Sequence, residues 1–417
     1  MLANVPAPSH FPVAEKPSSA SVNSWVAAFA GARDAYQVPI ALQEAGLLKT
    51  LVTDFYSPLD RSILRNVVRL LPSSFQSKLS RRFSPALPSR VVQSHPLYSL
   101  KTWRNPQSWA EHASLLGEAA GRVAAEHGCG LLAYSHIATS AFAQAPRSTK
   151  VLFQMQPHPA SVRKALTSDK LIPEFKDQAH DERNWPSETF AAYVREPLLA
   201  DLCIAASSYT RQTLIENGVS ANRIVLVPYG VDLEFFTPSQ ESRNKFMVLF
   251  VGHLVRQKGL HYLLEAWRRL NLANAELRIV GAPGSRQKSL RGFADHATFV
   301  GTLEKDALRT EYRQADLLCL PSLSDGFGLV VLEALACGTP VLTTSTCGAS
   351  DLIRDAANGF VIPPADLTAL MEHLEWAARN RPLMRDMRSA ARKTAELYPW
   401  TKFRQRLRNA LPSITAY

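Results

Sequence analysis

The stretch from Leu320 to Pro340, LPSLSDGFGLVVLEALACGTP, combines residue types that favour the binding of a phosphate. An apolar strand leads into a short loop with two glycines, Gly326 and Gly328, and a helix follows. Glycine lets the backbone approach a ligand closely, and the first turn of a helix offers unpaired N–H groups and about half a positive charge. The sequence therefore predicts an anion site at the start of this helix.

Two acidic residues, Asp325 and Glu333, accompany this loop and helix. Glu333 lies in LVVLEALAC, an otherwise apolar stretch, so its carboxylate needs hydrogen-bond donors when it leaves water. The hydroxyls of a ligand would supply such donors, and an ion pair with a neighbouring arginine is the structural alternative. Asp325 directly precedes the helix, a position where aspartate is favoured as an N-cap, so residue type alone favours a structural role for it.

A second group of candidate residues lies in Phe250 to Gly259, FVGHLVRQKG. The expected strand ends at Gly252, where the absence of a side chain leaves room for a ligand, and two cations follow at Arg256 and Lys258. Loop cations are usually only solvated, so this motif alone is weak. Together with the helix start downstream in the same half of the chain, it predicts a diphosphate site.

The elements that must position these residues are indicated by short apolar runs that alternate with helical periodicity from Trp25 onward. This alternation predicts parallel sheets covered by helices. Strands are expected at Trp25–Ala30, Leu51–Phe55, Leu131–Ser135, Lys150–Gln154, Leu202–Ala206, Phe246–Val251, Glu276–Val280, Ala297–Val300, Leu317–Leu320, Val341–Thr344 and Phe360–Ile362. In the second half, helices are expected at Leu260–Leu270, Lys305–Arg313, Gly328–Cys337 and Leu367–Arg379.

The polar segment FFTPSQESR, which begins at Phe235, marks the expected boundary between two doubly wound α/β domains. Ligands of such domains bind at the carboxyl ends of the strands, in the crevice between the two halves. The expected division is a flexible tail (1–22), an N-terminal domain (23–240), a C-terminal domain (241–398) and a final helix (399–417) that returns to the first domain.

Composition excludes several classes of protein. The 417 residues are 46% hydrophobic and 20% charged, which is typical of a folded globular chain. The five cysteines include no C-x-x-C pair, which argues against a disulfide framework and a zinc site and for a reducing compartment. The apolar runs are far shorter than the roughly 18 residues of a membrane span, and the N-terminus lacks an apolar signal region. A cytoplasmic location is expected.

The net charge of +11 is concentrated between Arg61 and Ala110, where nine Lys or Arg residues occur without any Asp or Glu. The pattern from Ser62 to Leu71 predicts a basic amphipathic helix. Such a helix suits an anionic membrane surface, and packing on its own domain is the alternative. The aromatic residues of the segment are few and form no stacking pattern, which disfavours nucleic acid as a partner.

Several blocks of the second half together resemble a GT-B glycosyltransferase of the retaining family 4 type. The matching blocks are VPYGVDLEFFTP, FVGHLVRQKGLHYLLEAW, LRIVG, FVGTL, LPSLSDGFGLVVLEALACGTPV and NGFVIPPAD, in the family's order between Ala205 and Asp366. The resemblance implies two Rossmann-like domains on either side of a cleft. It also implies transfer of a hexose from a UDP- or GDP-linked sugar, with retained configuration and with no metal or cofactor besides the donor.

The resemblance assigns roles to the C-terminal candidates. Arg256 and Lys258 would hold the donor diphosphate, with Gly252 leaving space for it. Asp325 replaces the first acid of the family's E-x7-E signature and would position the donor sugar, and its shorter side chain implies a different sugar, a shifted pose or lost activity. The other implied contacts are with the base (Val300, Gly301), the ribose (Glu333), and the sugar and phosphate (Ser322, Gly326, Phe327, Gly328, Leu329).

The N-terminal half matches the family more loosely. AFAGARDA resembles the loop after the first strand, although only Gly31 remains of its usual glycines, and Arg33 and Asp34 would contact the acceptor. His158, in QMQPHPASV, is the preferred match for the family's acceptor-side histidine, and His136, in YSHIAT, is the alternative. For each of these histidines, a purely structural role is the competing interpretation.

The implied acceptor is a glycan, a lipid-linked sugar or a small molecule. Three other functions remain open from the sequence: a nucleotide-sugar epimerase of the same fold, a phosphorylase of the same fold, and a non-catalytic protein that binds membranes through its basic segment. An epimerase would release product without an acceptor, and a phosphorylase would require inorganic phosphate.

Overall fold

The computed structural model describes residues 24–97, 109–171, 185–239, 244–282, 292–293 and 295–412. Within these ranges the chain forms two parallel sheets that are covered by helices, which confirms the predicted α/β class with two doubly wound domains. The expected tail (1–22) and the expected boundary at residue 240 lie outside the described residues.

The N-terminal sheet has seven strands in the order β3-β2-β1-β4-β5-β6-β7, all parallel. Side chains alternate along β1, so that Trp25 and Ala27 enter one apolar cluster while Val26 and Ala28 enter another. Both faces of the sheet are therefore buried, which explains its apolar strands. The strands are β1 (Trp25–Ala28), β2 (Leu48–Thr53), β3 (Val92–Ser94), β4 (Gly130–Tyr134), β5 (Lys150–Gln154), β6 (Leu202–Ala205) and β7 (Ile224–Leu226).

The helices of this half connect and cover the strands. They are α1 (Gln37–Glu44), α2 (Ser62–Arg69), α3 (Ser73–Ser80), α4 (Trp109–His127), α5 (Ala138–Gln144), α6 (Pro159–Ser168), α7 (Ser187–Leu199) and α8 (Ser208–Glu216). Helix α2 forms where the basic amphipathic pattern predicts it, and none of its residues is buried. Lys101 and Arg104 of the basic segment lie outside the described residues.

The C-terminal sheet has six parallel strands in the order β10-β9-β8-β11-β12-β13. They are β8 (Phe246–Val251), β9 (Ala275–Val280), β10 (Thr298–Gly301), β11 (Leu317–Leu320), β12 (Val341–Thr344) and β13 (Gly359–Ile362). The helices are α9 (Leu260–Leu270), α10 (Lys305–Gln314), α11 (Leu329–Ala336), α12 (Leu367–Arg379), α13 (Arg381–Ala395) and α14 (Trp400–Ala410).

The strand order of each sheet reverses at one point, between β1 and β4 in the first and between β8 and β11 in the second. Connections leave such a point in opposite directions, so a crevice opens at the carboxyl ends of the two central strands. The two crevices face each other, because the loop after β11 touches the N-terminal domain. The Gly326 carbonyl accepts hydrogen bonds from Ser207 Oγ at 2.7 Å and from Thr210 Oγ1 at 3.1 Å.

The final helix, α14, packs against α1 of the N-terminal domain. Arg404 donates to Glu44 Oε2 at 3.0 Å and to Gln37 Oε1 at 2.7 Å. Trp400 lies against Gly230, where an added Cβ would approach its Cα to 2.7 Å. Trp400 therefore supports the connection between the final helix and the N-terminal domain, and the helix returns to that domain as expected.

Candidate active site

The loop after β11 brings Asp325 and the start of α11 into the cleft between the domains. The Asp325 amide donates to Thr346 at 2.9 Å and its carbonyl accepts from Gly348 at 2.9 Å, so the loop is fixed on both sides. Gly328 adopts φ 83°, a left-handed conformation that favours glycine, and α11 begins at the next residue, Leu329. The Val331 amide donates to the Gly328 carbonyl at 2.9 Å. The remaining N–H groups of a helix start have no intrahelical carbonyl partner, as an anion site requires.

Lys258 and Asp325 meet in this loop. Lys258 Nζ lies 2.5 Å from Asp325 Oδ2, and the Asp325 side chain is only 4% exposed. The other carboxylate oxygen accepts the Phe327 amide at 3.4 Å. The structure therefore joins the predicted cation and the predicted sugar-positioning acid, 67 residues apart in sequence, into one charged pair.

Arg256, the second predicted cation, is buried against the N-terminal domain. Its Nε lies 2.6 Å from Asp169 Oδ2, and one terminal nitrogen donates to the carbonyl of Leu171 at 2.8 Å. His261 Nε2 and the Tyr262 hydroxyl also approach the Asp169 carboxylate, at 2.8 and 2.9 Å. Arg256 therefore joins the two domains here, a role that the sequence did not indicate, and a donor diphosphate would have to compete with Asp169 for it.

Glu333 lies on α11, half-buried, with a tyrosine as its partner. The Tyr312 hydroxyl of α10 donates to Glu333 Oε2 at 2.7 Å, so the expected alternative of a neighbouring arginine is not what the structure shows. Burial raises the pKa of the Glu333 carboxyl to about 7 despite that hydrogen bond. A carboxylate in this environment gains from additional donors, such as the hydroxyls of a ribose.

Glu333→Gln is expected to flatten the dependence of stability on pH. The pKa of Glu333 rises from 4.5 to about 7 on folding, so its contribution to stability is complete below pH 4.5 and is lost as the pH rises through 7. The Glu333→Gln variant has no carboxyl group to titrate at this position, so it does not lose this contribution. Between pH 5 and 8 its free energy of unfolding, measured with urea, should therefore rise relative to that of the wild type. Identical slopes for the two proteins would contradict the assignment.

Gly252, predicted to leave space for the diphosphate, and Gly301, predicted to contact the base, both lie at carboxyl ends of strands in the C-terminal sheet. Gly252 directly follows β8, and its amide donates to the Val280 carbonyl at 3.0 Å. Gly301 ends β10 with φ 82° and accepts the Gly281 amide at 2.9 Å. Around Gly252 a Cβ would meet only the Phe250 ring, at 3.8 Å, so this edge has the open space that a ligand needs.

The loop after β1 has an unusual backbone. Asp34, Ala35 and Tyr36 all have positive φ, at 49°, 48° and 62°. Such conformations cost non-glycine residues on the order of 1–3 kcal/mol each and are concentrated at functional sites. Gly31, at φ 87°, donates its amide to Asp54 Oδ1 at 2.8 Å, and Arg33 is exposed.

The Asp34 carboxylate joins two tyrosines that the sequence analysis did not single out. The Tyr134 hydroxyl donates to Asp34 Oδ2 at 2.8 Å, and Tyr229 forms a second hydrogen bond to this carboxyl. Burial raises the pKa of Asp34 to about 6. Tyr229 also packs edge-on against Phe327, with ring centroids 5.3 Å apart, and so connects the acceptor-side loop to the donor-side loop. The sequence signal that could have indicated Tyr229 is its position in the matching block VPYGVDLEFFTP.

The two histidines proposed for the acceptor side have different surroundings. His158 is 1% exposed, its Nε2 donates to the Val194 carbonyl at 3.0 Å, and its Nδ1 accepts the Ala160 amide at 3.3 Å as the N-cap of α6. Both ring nitrogens therefore serve the fold. His136 instead follows β4, at the switch point, and is half-buried near Arg33.

Two Rossmann-like domains whose switch points face each other define the GT-B class of proteins. Residues 232–394 match the family model described as Glycosyl transferases group 1, which confirms the resemblance to a glycosyltransferase and leaves the retaining family 4 type as a prediction. This part of the chain is therefore similar to the group 1 glycosyl transferases.

Comparisons with whole proteins agree with this class. The chain is 32% identical over 233 residues to a D-inositol 3-phosphate glycosyltransferase of Geodermatophilus obscurus, covering 49% of this chain and 50% of that protein. The chain thus spans about half the length of the curated relatives it matches. Sucrose-phosphate synthase from Thermosynechococcus elongatus has a TM-score of 0.65 at 20% identity, covering 93% of this chain and 98% of that one. Anabaena HepE in complex with UDP and glucose has a TM-score of 0.62 at 16% identity, covering 93% and 98%.

Proposed function

We propose that this protein is a retaining glycosyltransferase that moves a hexose from a nucleotide diphosphate sugar to an acceptor bound by the N-terminal domain. The observation that carries the proposal is the convergence of Lys258, Asp325 and the start of α11 at the switch point of the C-terminal sheet. The family match over residues 232–394 and the nucleotide sugar bound by HepE support the same donor class.

In the proposed reaction, Lys258 and the N–H groups of α11 neutralise the charge that develops on the departing diphosphate. Arg256 contributes when the diphosphate replaces Asp169 as its partner. Asp325 positions the sugar, and Glu333 binds the ribose hydroxyls. The departing phosphate accepts the proton of the acceptor hydroxyl, so the mechanism needs no carboxylate base in the protein. His136 orients the acceptor from the opposite side of the cleft.

The test is a thermal-shift panel of UDP, GDP, ADP and their sugars, followed by NMR of the product. A bound nucleotide stabilises the folded state by RT ln(1 + [L]/Kd), about 2.7 kcal/mol at 100 times Kd. We expect stabilisation by one nucleotide class, a product with the donor's anomeric configuration, and unchanged transfer after treatment with EDTA. The proposal fails if no nucleotide stabilises the protein, and retention is refuted by an inverted product.

The other activities of the same fold are separated by omitting components from this assay. Release of an isomerised sugar without an acceptor would indicate an epimerase. A requirement for inorganic phosphate would indicate a phosphorylase. We expect neither, because the Arg33 loop, Asp34 and His136 build a second half-site that faces the donor residues.

We also propose that α2 and α3 dock on an anionic membrane surface. Ile63 and Leu70 are 78% and 87% exposed, and Phe75 is 55% exposed. Basic residues interleave with them, and each near an anionic bilayer contributes about 1 kcal/mol. No helix within the described ranges has the length and apolar character to cross a bilayer, so contact would be peripheral. Together with five buried thiols, this surface supports a location at the inner face of the membrane.

The membrane proposal is tested by flotation with vesicles of phosphatidylglycerol and of phosphatidylcholine. Ile63→Ser with Leu70→Ser should remove binding to the anionic vesicles. The matched control is Leu383→Ser, at a residue 48% exposed on α13 of the other domain. Equal binding to both vesicle types, retention on duplex DNA instead, or an unaffected double variant would overturn the proposal.

A further inference from the structure

His136 has a backbone conformation that is unusual for its residue type. It follows β4 at the switch point of the N-terminal sheet and adopts φ 78°, in the left-handed region. A residue with a Cβ occupies this region at a cost and persists there only when its surroundings fix it. Some other group must therefore hold the turn between β4 and α5.

Glu196 of α7 supplies that group. Its Oε2 accepts the His136 amide at 2.7 Å, and its Oε1 accepts the Thr139 amide at 3.1 Å. Glu196 is only 1% exposed, and burial raises the pKa of its carboxyl to about 7 although backbone N–H groups stabilise the ionised form. The turn is thus fixed by a buried carboxylate that lies 60 residues away in sequence.

The same helix also fixes the imidazole ring. Tyr193, one turn before Glu196 on α7, packs against the His136 ring with centroids 4.5 Å apart. Trp185 meets that ring edge-on at 5.4 Å and also packs against Tyr193. Burial and the nearby Arg33 lower the pKa of His136 to about 4, so the imidazole is neutral at physiological pH. One helix therefore sets both the backbone and the ring of this histidine.

A purely structural explanation of Glu196 fits these contacts poorly. A helix N-terminus is usually capped by a short polar side chain at its own N-cap, whereas α5 has Ile137 there. Burying a carboxylate is costly, and a neutral acceptor would cap the same N–H groups at a lower cost. The two oxygens of the Glu196 carboxylate accept one amide each, those of His136 and Thr139. The carboxylate therefore fixes the position of His136.

We propose that Glu196 is a positioning residue for the transfer reaction, which holds His136 in the orientation that contacts the acceptor. This inference rests on the proposed function. Glu196 touches no substrate in this scheme and acts through His136 alone.

The test is a double-mutant cycle with Glu196→Gln and His136→Ala. Removing a side chain that assists proton transfer or orientation typically lowers the rate by roughly 10²-fold or more, and we expect this loss in kcat for His136→Ala. Glu196→Gln should lower kcat by about tenfold, the effect of one hydrogen bond to a charged group, with the donor KM unchanged. Because Glu196 acts through His136, the double variant should be no slower than His136→Ala alone.

A matched control and a readout independent of turnover complete the design. Glu188→Gln changes an exposed glutamate on the same helix and should leave kcat unchanged. In NMR spectra, the His136 ring signals should be single and sharp in the wild type and shifted or multiple in Glu196→Gln. Losses that multiply in the double variant, or unchanged ring signals, would overturn the inference. Absence of transfer by the wild type would refute the proposed function, while the NMR comparison would still decide the role of Glu196.

Discussion

Lys258→Gln is expected to lower kcat/KM for sugar transfer by about 10²- to 10³-fold, the typical effect of removing one preorganised charge-stabilising group. Lys258 Nζ lies 2.5 Å from Asp325 Oδ2, beside the first turn of α11. Glutamine retains a hydrogen-bond donor on the side of the buried Asp325, although its side chain is shorter than that of lysine and carries no positive charge. The protein should therefore stay folded while it loses stabilisation of the departing diphosphate, which initial-rate measurements and a thermal melt would establish together.

The matched control for this variant is Arg269→Gln, which removes an exposed cation on α9 that pairs with Glu265 at 2.6 Å. Its rate should equal that of the wild type. Normal turnover by Lys258→Gln would contradict the assignment of Lys258 to stabilising the departing diphosphate.

Arg256 is a less suitable residue for this test than the sequence indicated. Arg256→Ala would leave Asp169 buried without its guanidinium partner, at a cost of about 3–5 kcal/mol. The double replacement of Arg256 and Lys258 by alanine would therefore lower stability as well as activity, and lost transfer would not by itself report on phosphate binding. The Lys258→Gln variant is therefore the more direct test of phosphate binding.

Gly326→Ala is expected to impair activity and stability together. A Cβ at this position would lie 1.9 Å from the Met155 carbonyl oxygen of the opposite domain, so one backbone segment must move. Overpacking of this kind costs about 1–3 kcal/mol, and here the strain is relieved by separating the domains. The loop carrying Asp325 would then leave its contacts with Ser207 and Thr210. We expect a lower melting temperature and a fall in kcat of at least tenfold.

The control for this steric effect is Gly292→Ala in the same domain, where no described atom lies within 4 Å of an added Cβ. It should leave both the melting temperature and kcat unchanged. If Gly326→Ala retained full activity, the close approach of the donor loop to the N-terminal domain would have no functional role.

The C-terminal domain could be predicted closely from the sequence because its elements are local and strongly patterned. Strands β8, β11 and β12 and helices α9 and α12 lie where apolar runs and periodicity placed them. The short strands β3 and β7 were missed, since each has only three residues, two of them half-buried, and such a strand carries little pattern. The basic helix was also predicted, but only the structure shows that its apolar side is uncovered.

The sequence by itself determined the fold class, the donor-side residues and their grouping, because these lie in glycine- and charge-marked loops directly after apolar strands. Only the tertiary structure showed that His158 caps α6, that Asp169 pairs with Arg256, that Tyr312 donates to Glu333, and that Glu196 holds the His136 amide. The physical reason is that strand order decides which strand ends meet at a switch point, and strand order is set by contacts between distant segments. Buried polar side chains likewise find their partners across such distances, and local sequence patterns carry no signal of that pairing.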